Sequence, residues 1–198
     1  MATDYASLTE NLLRFYDFRS KVVLFVGAGG RQLLEPTAGT KKLIAIDRDI
    51  ETLTELSTKV ATKGMGEAVE VVARKFEDVR LSADVVYFEF CLHEMADPLQ
   101  ALAHAKTLAR DIVVYDHSQG SEWIFYAAEE DMVRRSAQAI KRFGLRRRER
   151  FYAEQHFSDH TELLARVTPQ GTTAIERVQR FTGVENIVIP MRYELDLL

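Results

Sequence analysis

Five consecutive apolar residues, Val22-Val23-Leu24-Phe25-Val26, run directly into Gly27-Ala28-Gly29-Gly30. A short strand with no polar face suits the buried centre of a parallel sheet, where helices cover both faces. The glycines let the chain reverse sharply and let backbone N–H groups come close to a ligand. A helix would start after them, at Arg31-Gln32-Leu33-Leu34, with its positive end toward the same crevice. A second apolar strand, Lys42-Leu43-Ile44-Ala45-Ile46, ends in Asp47, 20 residues after Gly27. A carboxylate at that tip is placed to accept hydrogen bonds from ribose hydroxyls.

Strands and helices keep alternating beyond this point. Asp49 caps a helix reaching about residue 62, with Ile50, Leu53, Leu56 and Val60 as its buried stripe. Val69–Ala73 and residues 84–90 read as the third and fourth strands. Asp97-Pro98 has the chemistry of a helix start, and Leu99, Leu102, Ala103 and Leu108 then face the sheet. Residues 112–117 form a fifth strand, and one long helix spans about 122–143 before Gly144 stops it. An N-terminal helix over about residues 8–18, cappable by Ser7 or Thr9, precedes the first strand. The basic run Arg146-Arg147-Arg148-Glu149-Arg150 reads as the solvated start of a sixth strand. Ser158 then caps the first of two further helices, and residues 186–195 form a last strand that Pro190 breaks or puts near an edge. The alternation predicts a three-layer α/β fold with a parallel centre.

Gly27-Ala28-Gly29, with Asp47 closing the second strand, resembles the first motif of the class I S-adenosylmethionine-dependent methyltransferases of small-molecule type. A second resemblance lies in Asp84-Val85-Val86, Leu92-His93-Glu94-Met95 and Asp97-Pro98. The sequence departs from the family at Phe25, where an acid is usual, and at Arg31, where a third glycine is expected. The resemblance implies a Rossmann-like sandwich whose seven-stranded sheet is mostly parallel, with one antiparallel C-terminal strand. It implies a single domain over 1–198, a lid helix within 1–20 and inserted helices within 154–183. S-adenosylmethionine is the implied cofactor, held by Gly27, Ala28, Gly29, Asp47 and Arg48. Phe76 would stack on the adenine, and Glu77 or Asp78 would accept from its exocyclic amine. With Phe25 in place of the acid, Glu89 or backbone carbonyls would hold the donor's ammonium. Catalytic candidates at the strand tips are His93, Glu89 and His117; His93 is preferred as a base because imidazole titrates near neutrality. Tyr5 and Tyr16 on the lid helix, the aromatics Trp123 and Tyr126, and His156 are the candidate lining of the acceptor pocket.

Composition narrows the partners. A formal net charge of −4 gives no overall basic footprint for nucleic acid or an anionic membrane. No run reaches the length of a membrane span, and the start of the chain lacks a signal-peptide core. The single Cys91 suits a reducing cytoplasm, and no Cys/His spacing reads as a metal site. The expected partner is a small-molecule methyl acceptor, with neither nucleic acid nor membrane; a homodimer is left open. Two other functions stay open on the same glycines. One is a methyltransferase-fold adaptor without turnover. The other is an NAD(P)-dependent oxidoreductase, which would want G-x-G-x-x-G but meets Gln32 at the third position.

Overall fold

The computed structural model describes residues 5–28 and 39–198. Gly29, Gly30, Arg31 and the helix expected to follow them lie outside the described residues, as does the side chain of Tyr5. The strands are β1 (Val22–Val26), β2 (Lys42–Asp47), β3 (Val69–Ala73), β4 (Val85–Glu89), β5 (Asp111–His117), β6 (Arg147–Asp159) and β7 (Glu185–Leu197). They form one sheet in the order β3-β2-β1-β4-β5-β7-β6. The first five run parallel, and β7 enters antiparallel between β5 and β6. Described helices are α1 (Tyr5–Phe15), α2 (Ile50–Thr62), α3 (Pro98–Leu108), α4 (Glu122–Tyr126), α5 (Glu130–Phe143), α6 (His160–Val167) and α7 (Thr172–Val178). None of them is long and apolar enough to cross a membrane.

The all-apolar β1 lies between β2 and β4 and is buried on both sides, as its composition requires. Its alternation feeds two cores. Val23 and Phe25 join residues of α1, α2, α4, α6 and α7 on one face. Leu24 and Val26 join residues of α3 and α5 on the other. Phe25, at the position where the family carries an acid, has no access to solvent and packs its ring 5.4 Å from that of Tyr87.

Several boundaries differ from the sequence reading for local reasons. The long helix expected over 122–143 is two helices. Ala128 takes a left-handed φ of 57°, Glu129 N–H reaches back to the Ile124 carbonyl at 2.8 Å and Ala128 N–H to that of Phe125 at 3.1 Å. This is a Schellman stop built without glycine. Asp159, not Ser158, caps α6, and the Glu162 carboxylate returns to accept from Ser158 N–H at 2.7 Å. In α2 Ile50 is 69% exposed, and in α3 Ala101, Leu102, Ala105 and Leu108 face the sheet while Leu99 and Ala103 do not. The strand containing Pro190 is unbroken. Only Tyr193–Leu197 pairs with β5, so Pro190 sits where β7 has a neighbour on its β6 side alone.

Helix α1 lies along the sheet over Tyr115 and Tyr193. Asn11 donates to the Tyr193 hydroxyl at 2.8 Å, and Leu8, Leu12 and Phe15 are buried beneath. Tyr16 follows it at the amino-terminal end of the strands, where its hydroxyl donates to Asp111 at 2.7 Å.

Candidate functional site

A cavity of about 480 Å³ opens at the carboxyl tips of β1, β2 and β4. In a parallel sheet this crevice is where ligands bind, because the chain leaves adjacent strands there in opposite directions. Val26, Gly27, Ile46 and Asp47 form one side, and Cys91, Glu94 and Met95 from the β4–α3 loop form another. Arg48 and the segment Arg74-Lys75-Phe76-Glu77 complete the rim.

Gly27 is required on two counts. Its φ is +76°, and a Cβ built on it would lie 2.6 Å from both Cβ and Sγ of Cys91. Its N–H and that of Ala28 do not face a ligand: both turn back to the Ile46 carbonyl, at 3.1 and 3.4 Å. What Gly27 offers the cavity is therefore a bare Cα. Asp47 ends β2 on the rim, with one carboxylate oxygen accepting from Asp49 N–H at 3.0 Å. Cys91 Sγ donates to the Val26 carbonyl at 3.2 Å, tying the β4 loop to the tip of β1.

At the tip of β4 the backbone is strained. Phe90 has φ 46°, a conformation unfavourable for a bulky side chain. Its ring is held by Tyr115 at 4.7 Å and His117 at 4.8 Å, while its N–H donates to the Tyr115 carbonyl at 2.7 Å.

Beneath the tips lies a buried charge cluster. His93 is 2% exposed; its Nδ1 is 2.5 Å from Asp116 Oδ1, and its backbone N–H donates to Oδ2 at 3.0 Å. Asp116 also accepts from His117 N–H at 2.8 Å. The other ring nitrogen of His93 faces Glu129 at 3.8 Å, and Gln170 holds Glu129 from the α6–α7 side at 3.4 Å. Burial alone would lower the His93 pKa. The charge and hydrogen bond of Asp116, with Glu129 beyond, instead raise it to about 9. Burial and then the His93 charge push His117 down to about 3. At neutral pH the first ring is thus a cation and the second neutral.

The expected site residues therefore separate. Gly27, Asp47, Arg48, Phe76 and Glu77 line the cavity, and Asp78 does not. Phe76 contributes little ring face, since it is 5% exposed and packs edge-on against Phe88 at 5.2 Å and His104 at 5.0 Å. His93 is buried and off the cavity wall, and its pairing with Asp116 favours the protonated ring over the free base expected from the sequence. Glu89 is 2% exposed beneath the strand tip and also off the wall.

The candidates for the acceptor pocket disperse. Tyr16 is at the wrong end of the sheet, on Asp111. Trp123 is 2% exposed and stacks on Phe157 at 5.9 Å. Tyr126 is 3% exposed and packs on Phe181 at 5.2 Å. His156 points out from β6 beside Glu154, at 3.0 Å, because strand alternation turns its neighbours Gln155 and Phe157 inward. Ile46, Cys91, Met95 and Glu94 line the wall without having been expected there, and Glu94 is the carboxylate among them. Its place beside His93 was the available signal.

No protein-family model and no curated protein matches the chain. Solved structures do. BH2331, a protein of Bacillus halodurans with a proposed methyltransferase activity, has a TM-score of 0.72 at 16% identity, over 96% of this chain and 97% of its own. The YcgJ protein of Bacillus subtilis gives 0.69 at 12% identity, over 97% and 96%. A SAM-dependent methyltransferase of Aquifex aeolicus gives 0.60 at 16% identity, over 98% and 89%. This chain has the class I methyltransferase fold. In that fold the strand order places the reversal between β1 and β4, and the cavity described above lies at this switch point. The methyltransferase fold also accounts for β7, the antiparallel strand inserted beside β5.

Proposed function

We propose that the protein transfers the methyl group of S-adenosylmethionine to a small-molecule acceptor by in-line displacement. The observation that carries this reading is the bare Gly27 Cα under a cavity of about 480 Å³, where a methyl group in its place would meet Cys91. The volume falls within the range of about 300–1,000 Å³ typical of small-ligand pockets. The residues fit the donor. Asp47 on the rim can accept from the ribose hydroxyls, Ile46 and Met95 can flank the flat adenine, and Glu77 can accept from its amine. Bound there, the sulfonium supplies an electrophilic methyl group.

The chain's own contribution is orientation and proton handling. Cys91, Glu94 and Met95 of the β4–α3 loop form part of the cavity wall, and His93, behind them, pins that loop to Asp116. Alignment of this kind can supply much of the acceleration of a displacement. Where the acceptor carries a proton, Glu94 is the carboxylate of that loop on the wall and is the group to receive it. The buried ring at Phe25 favours a second reading, an adaptor that keeps the fold without turnover, because the family's acid is missing there.

Calorimetry with S-adenosylmethionine and S-adenosylhomocysteine tests both readings. Binding is expected, and Asp47→Ala should weaken it by about 1.5–3 kcal/mol. Absence of binding by both compounds sinks the methyl-transfer reading and leaves the adaptor, whereas observed transfer sinks the adaptor. Binding without transfer to any of a panel of amines, phenols and thiols selects the adaptor.

A further inference from the structure

A second concavity, of about 900 Å³, lies between α5 and the outer face of the β6–β7 ribbon, and shares no lining residue with the first. Its walls are unusual for a chain of net charge −4. Arg134 and Lys141 line it from α5, Arg148 and Arg150 from β6, and Arg192 from β7, against the single carboxylate of Glu194. Strand alternation puts Arg148, Arg150 and Tyr152 on one face of β6, over a span of about 13 Å. Arg134 and Lys141 are two helical turns apart, about 10 Å, and so share one side of α5. Two short rows of cations face each other across a trough.

These charges are only partly neutralised within the protein. Arg148 is engaged by Asp196 at 2.6 Å and shares Glu194 with Arg150, at 2.8 and 3.0 Å. The pairing of Arg134 with Asp131 is exposed, and such pairs contribute little. Lys141 and Arg192 have no carboxylate within ion-pair distance among the described residues. The trough also holds a flat aromatic surface. Tyr152 is 76% exposed, and the Arg192 guanidinium lies over its ring at 5.3 Å. Planar guanidiniums match phosphate oxygens, and an exposed phenol backed by Arg is a stacking platform for a base.

We propose that this trough is a second ligand site, for a nucleoside polyphosphate, with the phosphates between Lys141, Arg150 and Arg192 and the base on Tyr152. It goes beyond the methyl-transfer reading and does not depend on it. The same chemistry could be presented by a free nucleotide or by a single-stranded oligonucleotide.

The test is calorimetry at low salt with uridine triphosphate, inorganic triphosphate and a ten-residue oligouridine. Uridine is chosen so that the donor cavity, expected to take adenosine, does not compete. Uridine triphosphate should bind, and the double variant Lys141→Ala with Arg192→Ala should weaken it at least about tenfold. Tyr152→Ala should weaken it at least about fivefold while sparing inorganic triphosphate. All three positions are exposed, and affinity for S-adenosylhomocysteine should be unchanged by them. Oligouridine binding over tenfold tighter than the nucleotide, with the same sensitivities, identifies a strand as the source; equal or weaker binding identifies the free nucleotide. No binding by either, binding indifferent to these variants, or equal loss of both triphosphates with Tyr152→Ala overturns the proposal.

Discussion

The Cα of Gly27 and the side chain of Cys91 are in such close approach that a Cβ on the first would stand 2.6 Å from two atoms of the second. Gly27→Ala must both hold φ near +76° and displace the β4 loop. The expected loss is about 2–5 kcal/mol in urea denaturation, from a left-handed alanine plus overpacking. Adding Cys91→Gly should recover the overpacking share, a non-additivity that a double-mutant cycle reads directly. Full additivity of the two losses would mean the contact is not the cause.

Stability should pass through a maximum near the ordinary pKa of histidine. His93 is raised from 6.5 to about 9, so its contribution is complete below 6.5 and is lost as pH climbs to 9. His117 is lowered from 6.5 to about 3, so the folded state resists its protonation and loses stability as pH falls below 6.5. Each limb has a limiting slope of about 1.4 kcal/mol per pH unit. Urea unfolding between pH 5 and 9 measures both, and His93→Gln should flatten the alkaline limb while leaving an acid limb from the burial of His117, weakened by loss of the neighbouring charge. A wild-type profile that rises steadily from 6.5 to 9 would contradict the charged His93–Asp116 pair.

Ala128→Gly should stabilise the protein by about 0.5–1 kcal/mol, relief of the left-handed alanine exceeding the entropy lost from the unfolded chain. Thermal and urea unfolding check the sign. A destabilised variant would show that the alanine methyl packs productively at the α4–α5 corner.

Tyr16→Phe removes the hydrogen bond to Asp111 at the amino-terminal end of the sheet. It should cost about 0.5–1.5 kcal/mol of stability and leave S-adenosylhomocysteine affinity unchanged. A weakened affinity would return Tyr16 to the site.

Much of this was legible where the chemistry is local. Val22–Val26 has one arrangement that satisfies it, Asp97-Pro98 starts a helix by composition alone, and Asp47 sits where β2 ends. Misreadings fall where two packings look alike in one dimension. Trp123 and Tyr126 have the composition of either a pocket wall or a core, and only the approach of β6 and α7 decides for the core. His156 differs from an inward residue by one step of strand parity. His93 carries the right residue type for a base, but Asp116 and Glu129, 23 and 36 positions away, decide its proton. Net charge was equally blind to place: the arginines beside α5 vanish into an acidic total.

The insertion of β7 between β5 and β6 also dictates an order of assembly. β5 can pair with β4 as soon as both exist, yet β6 has no seat in the sheet until residues 185–197 arrive to bridge it. During synthesis at about 5–20 residues per second, the flank of β5 therefore stands open for seconds after that strand emerges. Unpaired strand flanks are where chains join one another wrongly.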